Sequence, residues 1–354
     1  MDIFYIKTKK EKKRFLAFKQ RLYRGDPSYV DTASFVLEDV LFQQTAFTKA
    51  CLVQPVLISD GKRELAECIF LHNPKLPYLQ IAFFEAVENA QEAVALLLNH
   101  AKSYAKTLGL TQIVIGLNAH ISYGVGILTD GFDYKNSFDS LYNKPYYKEY
   151  FKGLPAQSLS TYHSEKSVAD KKLSPVSLQD KRFRIEQANV KHMERECERM
   201  RLLCEKTIAR TFLYFPTEKG HFYDLMKDLL PFLTGENLLF AVDEQGNDVG
   251  FLFWHPDFNQ MLNAGEKTSA LKILFGYLFR RKNIETVKIN AMGSLNPRAT
   301  LLLLATFNRI TGEKYKYVET NFVWDNNLPS TTLNGRFFDA PHRKYEVYFL
   351  HADD

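Results

Sequence analysis

Residues 78–117 read YLQIAFFEAVENAQEAVALLLNHAKSYAKTLGLTQIVIGL, and three elements can be taken from them in order. Tyr78–Glu85 is a short, mostly apolar run of strand length. Val94, Leu97, Leu98, Ala101, Tyr104, Ala105 and Leu108 then recur at helical spacing and trace one apolar stripe. Asn89 with Glu92 three residues on predicts a capping box at the start of that helix, and Gly109 predicts its end. Ile113–Leu117 follows as a buried strand. The segment therefore reads strand, helix, strand.

Working outward, Leu52–Ser59 and Leu65–Leu71 flank Asp60-Gly61, a strong hairpin signal. Asp2–Lys7 reads as an opening strand and Lys9–Tyr23 as a helix, broken by Gly25-Asp26-Pro27. Downstream, a loop rich in glycine and polar residues runs from Asn118 to Asn136. Phe138–Tyr142 reads as extended, Pro145–Lys152 as a short helix and Leu159–His163 as a closing strand. The polar segment 166–181, with Ser174-Pro175, is the expected linker.

The second half repeats the order. Arg182–Gln187 reads as a strand, followed by a helical stripe through Met193, Cys197, Met200, Cys204 and Ile208. Leu238–Val242 and Val249–Trp254 form a second hairpin. Ala270–Phe279 reads as a helix, Thr286–Asn290 as a strand, and Pro297–Arg309 as a helix with proline at its first position. Tyr315–Val323 and Arg343–Leu350 are the last strands. A hairpin followed by strand-helix-strand, twice, predicts an α/β chain (α+β mixed sheet) of two domains, 1–165 and 182–354.

Composition agrees with a globular chain. Of 354 residues, 45% are hydrophobic and 25% charged, with 28 Phe and 19 Tyr to fill cores. No apolar run approaches the ~20 residues of a spanning helix, so no membrane partner is expected. The four cysteines show no Cys-x-x-Cys pair or disulfide framework, which predicts a cytoplasmic location. No His/Cys cluster has metal-ligand spacing, so no metal is expected. The net charge of +5 is concentrated in the run from Lys7 to Arg14. Phe15, Phe18 and Leu22 beside it at helical spacing make that run a solvated helix face, so no nucleic-acid partner is expected.

Two stretches resemble the end of domains of the acyl-CoA N-acyltransferase (GNAT) kind, where a strand leads to Asn, a short helix, Gly and a final strand. One is residues 142–153, from Tyr142-Asn143 through Tyr146-Tyr147 to Gly153. The other runs from Trp324 through Asn326-Asn327 to Asn334-Gly335. The whole chain also resembles a bacterial group with two tandem GNAT-like domains, through residues 21–27, 126–133, 143–147 and 256–260.

The resemblance implies an N-acyltransferase or aminoacyltransferase-like protein that uses acetyl-CoA or another acyl-CoA on a small-molecule or peptide amine. The alternative is a non-catalytic ligand-binding protein on the same fold. The family's pyrophosphate loop falls on Gly293, Ser294, Asn296, Arg298, Ala299 and Thr300, where amides at a helix start can face an anion. The Gly-x-Gly spacing is replaced by Ala299-Thr300-Leu301, and an ordinary strand-helix turn fits equally well. In the first half the matching turn, Glu85 to Asn89, has no glycine and carries two carboxylates, which argues against CoA there. The family's proton-donating tyrosine falls on Tyr147 or Tyr150; both also suit packing of a short helix. Asn118, Tyr123, Asp130 and Asn143 are the candidate substrate-binding residues, with a purely structural loop as the other account.

Overall fold

The computed structural model describes residues 1–31, 34–266 and 268–354. The first half of the chain gives β1 (Asp2–Tyr5), α1 (Lys9–Leu22), α2 (Ser34–Phe42), α3 (Ala46–Lys49), β2 (Leu52–Ser59), β3 (Glu64–His72), β4 (Tyr78–Ala86), α4 (Gln91–Thr107), β5 (Gln112–Ile115), β6 (Ile127–Asp130), α5 (Tyr147–Tyr150) and β7 (Ala156–Glu165). The second half gives α6 (Lys166–Leu173), β8 (Phe183–Gln187), α7 (Met193–Thr207), α8 (His221–Met226), β9 (Leu238–Asp243), β10 (Asp248–Pro256), α9 (Ala270–Arg280), β11 (Thr286–Ser294), α10 (Pro297–Thr311), β12 (Tyr317–Thr320), β13 (Val323–Trp324), α11 (Leu328–Phe337) and β14 (Pro341–His351).

Local sequence explains most boundaries. Thr8 accepts a hydrogen bond from the Glu11 N–H while Glu11 accepts one from Thr8, a closed capping box that starts α1. Phe15 and Phe18 then face inward, and the lysines at 9, 10 and 13 face water. Asp60 accepts from the Lys62 and Arg63 amides and Gly61 takes φ +85°, which closes the β2–β3 hairpin. The expected cap of α4 is different. Its N-cap is Ala90, without a side-chain bond, and Asn89 sits at φ +62°, using asparagine's tolerance of the left-handed region. The segment around 138–142, expected as extended, forms no strand.

The chain divides into two compact units. Unit 1 comprises 1–159, 262–270 and 343–354; unit 2 comprises 160–261 and 271–342. In unit 1 the strand order is β1-β2-β3-β4-β5-β14, and β6 also pairs β14. In unit 2 it is β8-β9-β10-β11-β12-β7, and β13 also pairs β7. Both sheets are antiparallel except for one parallel pair at the same position, β4 with β5 and β11 with β12. The sequence repeat is thus realised as the same sheet twice.

The two closing strands differ from the sequence expectation. β14, from the end of the chain, pairs β5 in unit 1, and residues of β7, from the first half, pair β12 in unit 2. Each half fills its sixth strand position with the other half's last strand. The segment expected as a linker opens with α6, whose Ala169 and Leu173 are buried in the unit 2 core against residues of α10.

Unit 1 packs α4 on β2 to β5, with Leu97, Ala101 and Ala105 in a continuous cluster with Phe70, Leu79 and Ile113. Unit 2 has a core on each face of its sheet. α10 lies on one face through Leu303, Leu304 and Phe307, and α7 and α8 lie on the other through Cys197, Met200 and Met226. All four cysteines are buried and free.

Candidate functional site

The β4–β5 and β11–β12 pairs place a candidate site in each unit, because in both the parallel pairing stops partway along. In unit 2, Phe253 faces Ala291 but Trp254 faces Ile289, so Asn290 is an extra residue in β11. β12 pairs β11 from Thr286 with Tyr317 only as far as Ile289 with Thr320. Beyond the bulge β11 continues to Ser294 along β10 alone, and Asn290, Ala291 and Met292 are half-buried. A notch between splayed strands follows.

Each residue expected in the anion loop has a defined place around this notch. Gly293 has no room for a side chain, since a Cβ there would lie 2.1 Å from Thr207 Oγ1 on α7. Its glycine is required by helix packing. Ser294 donates to the Asn296 carbonyl at 3.0 Å, and Asn296 caps α10 by accepting from the Arg298 N–H at 2.9 Å. Thr300 donates its hydroxyl to the Asn296 carbonyl, and Ala299 is buried. Arg298 turns to Asp180, Nε to Oδ2 at 2.7 Å, and to the Ser177 carbonyl at 3.0 Å. That guanidinium, with the Arg182 amide, holds the Asp180 carboxyl down at about 2. Leu295, between the strand and the helix, is 53% exposed.

Unit 1 has the same splay, closed by its own chain. β3 and β4 shift register between Glu67 and Ile69, and Phe83 in the bulge takes φ +51°. The Phe83 N–H that this frees donates to Asn118 Oδ1 at 2.7 Å. Gln80 and Ala119 exchange two hydrogen bonds beside it. Asn118, Phe83, Phe84 and Ala86 are all buried.

The turn after β4 is occupied as well. Tyr147 accepts from the Ala86 N–H at 2.8 Å and donates to Glu85 Oε2 at 2.7 Å. Tyr150 donates to the Val87 carbonyl and accepts from the Ala90 N–H. Tyr146 donates to the Ala86 carbonyl. Tyr146, Tyr147 and Tyr150 thus bond the Ala86 N–H and carbonyl, the Val87 carbonyl and the Ala90 N–H of the strand-helix turn that corresponds to the loop after β11.

The remaining expected site residues lie apart from one another. Tyr123 donates to Asp39 Oδ2 at 2.8 Å and stacks on Phe47. Asn143 bonds both the N–H and the carbonyl of Leu128. Asp130 is exposed and accepts from the Gly131 N–H. Replacing Asn118 with alanine strands the buried Phe83 N–H and is expected to cost about 1–3 kcal/mol in urea unfolding. Asp130→Ala is expected to stay within about 0.5 kcal/mol.

A polar cluster in unit 1 was not anticipated from the sequence. Glu85 accepts from both Tyr23 and Tyr147, each at 2.7 Å, and Lys19 Nζ lies 3.3 Å from its other oxygen. Glu67 is its cross-strand neighbour, wholly buried, and neither of its oxygens has a hydrogen-bond partner among the described residues. Burial, then the charge of Glu85, pushes the Glu67 carboxyl well above the usual range. Burial and Glu85 likewise push the Tyr147 and Tyr23 hydroxyls up. Tyr23 stacks on Tyr29 at 4.1 Å, and a cleft lined by Lys19, Tyr23, Tyr29, Asp31, Gly265 and Glu266 opens beside them. The signal in the sequence was an acid inside each of two apolar strand runs.

Among the described residues, no group of three or more His, Cys, Asp or Glu is placed to hold a metal ion. No helix is long and apolar enough to cross a membrane.

A six-stranded mixed sheet with one parallel pair, a bulged fourth strand and a helix after it, present twice, is the GNAT fold in tandem. Solved structures agree with that class. The chain is similar, over 99% of both chains, to a tandem GNAT protein from the clavulanic acid biosynthesis pathway, at TM-score 0.56 and 10% identity. It is similar to a probable N-acyltransferase of Enterococcus faecalis V583 at TM-score 0.54 and 8% identity, over 98% of this chain and 71% of that one. A GCN5-related N-acetyltransferase from Anabaena variabilis matches at TM-score 0.52 and 10% identity, over 99% and 73%. Among curated proteins, Protein YghO of Escherichia coli K12 is 20% identical over 367 residues, 96% of this chain and 93% of that one. No family model matches the chain.

Proposed function

We infer that the protein is an acyl-CoA-dependent N-acyltransferase whose acyl donor binds in unit 2, in the notch at the β11 bulge. The observation that carries this is the contrast between the two notches. The β11 edge beyond Asn290 pairs on one side only and is half-exposed, whereas its counterpart in unit 1 is sealed by Asn118 and by three tyrosines. An open strand edge bonds an extended chain by its main-chain amides, which suits the linear arm of an acyl thioester. The start of α10, with Ser294, Asn296, Arg298, Ala299 and Thr300, is the place for its phosphates, since a helix N-terminus favours an anion. When bound, acyl-CoA supplies an activated acyl group to an amine. Backbone groups of Ala291 and Met292 would position the carbonyl, and the notch walls would limit water.

One observation favours a non-catalytic ligand-binding protein instead. Asn296 already caps α10, and Arg298 is engaged with Asp180. Titration with acetyl-CoA and longer acyl-CoAs, read as thermal shift and by calorimetry, separates the readings from the absence of any site. Amide formation on added amines then separates enzyme from binder. Leu295→Glu is expected to weaken acyl-CoA binding about tenfold, equivalent to about 1.4 kcal/mol, by placing a carboxylate at the anion's position. Leu295 is exposed, so the fold should be unaffected. Wild-type protein with no shift at millimolar acyl-CoA would falsify the assignment.

A further inference from the structure

The connection from β10 to β11 is much longer than its counterpart between β3 and β4. In the first half of the chain β3 and β4 are joined by the short turn 73–77; in the second half β10 and β11 are joined by residues 257–285, which include α9, and of these 257–261 and 271–285 belong to unit 2. The inner side of α9 is fastened to its own unit. Ile273 is buried, Gly276 lies against Met261, and Tyr277 packs on Phe232 at 5.0 Å. Its outer side is apolar. Leu271, Leu274, Phe275, Leu278 and Phe279 follow helical spacing, and four of them are 57–77% exposed, with Leu274 at 42%. A stripe at this spacing ordinarily faces a core, and contiguous exposed apolar surface marks a contact site.

We propose that α9 is a membrane-surface anchor that rests its Leu/Phe stripe on an anionic bilayer. The charge around the stripe selects this occupant. From Thr268 to Ile284 the sequence carries Lys272, Arg280, Arg281 and Lys282 and no acidic residue. All four are exposed, and Arg281 lies over the Tyr277 ring at 5.6 Å, at the end of the stripe. Leucine and phenylalanine on one arc with lysine and arginine beside them is the pattern of helices that lie in the headgroup region, where long basic side chains reach lipid phosphates. A second copy is a poorer occupant, because a two-fold pairing through α9 sets the same cations against each other. A deep protein groove is also a poorer fit, since the inner half of the helix is held by its own unit. The flat, deformable lipid surface needs only the outer arc.

The test is co-sedimentation of the full chain with vesicles of phosphatidylcholine alone and of phosphatidylcholine mixed with phosphatidylglycerol. Binding to the anionic vesicles is expected, falling as salt is raised. Phe275→Ser with Phe279→Ser should reduce it about tenfold or more, with melting unchanged because both rings are exposed. Arg281→Glu with Lys282→Glu should remove the preference for anionic lipid. Absence of vesicle binding, or binding undiminished in the phenylalanine variant, overturns the proposal. So does a concentration-dependent dimer that Phe279→Ser abolishes, which would assign the stripe to a second copy. None of these outcomes depends on acyl-CoA binding.

Discussion

Replacing Glu85 with alanine is expected to destabilise unit 1 by about 3–5 kcal/mol, the range for removing one partner of a buried ion pair. Three groups depend on this carboxylate. Lys19, itself buried, would lose its ion-pair partner at 3.3 Å, and the hydroxyls of Tyr23 and Tyr147 would each lose an acceptor at 2.7 Å. Tyr147 would still accept from the Ala86 N–H, so the strand-helix turn would be loosened but not opened. Glu67 moderates the loss, because it stands across from Glu85 on β3 and already feels the Lys19 charge. Glu85→Gln also loses the ion pair but retains an acceptor for the tyrosines, and should cost less. Urea unfolding of the two variants checks both statements. Equal stabilities for the alanine variant and the wild type would show that the cluster is merely tolerated.

How far this arrangement could be read from the sequence depends on what kind of signal each part leaves. The strand-helix-strand of residues 78–117 and the two hairpins leave periodic patterns, and all are present. The repeat could be read because each half has the same order of elements, and the two sheets have the same strand order. The exchange of closing strands leaves no such mark. β7 and β14 both fill an antiparallel position beside a buried strand, and their alternation fits either sheet. Asn89 was ambiguous for a physical reason, since the residue that caps helices is also the one that tolerates positive φ.

The candidate sites show the same division. The place of the loop after β11 follows from local order, so its residues could be named; that Gly293 makes room for Thr207 depends on a helix far away in sequence. Tyr147 and Tyr150 could be picked out as hydroxyls on a short helix, but their partners on residues 85–90 are a tertiary matter. In α9 the periodicity was correctly helical, yet spacing alone does not say whether an apolar stripe faces inward or out. Only the exposure of Phe275 and Phe279 settles that.

Glu67→Gln is expected to stabilise the protein at neutral and alkaline pH, the reverse of the usual effect of altering a fully buried residue. The argument rests on which protonation state the fold accepts. Glu67 is wholly buried, makes no hydrogen bond among the described residues, and faces the Glu85 carboxylate across the β3–β4 pair. Both conditions disfavour its anion, so its carboxyl is raised well above the ordinary glutamate value in the folded state. A raised folded value means that the contribution of this group is most favourable below the unfolded value, near 4.3, and is lost as pH rises. Above that point each pH unit costs the native state about 1.4 kcal/mol for as long as the carboxyl stays protonated. Glutamine has the same shape and no proton to hold, so it escapes the cost. The stability difference between Glu67→Gln and wild type should therefore be near zero at about pH 4.5 and larger at pH 8. Urea unfolding across that range measures it. Glu67→Met, which removes the polar atoms altogether, should follow the same pH course; a flat difference for both variants would mean that Glu67 is ionised in the fold and that Lys19 serves two carboxylates at once.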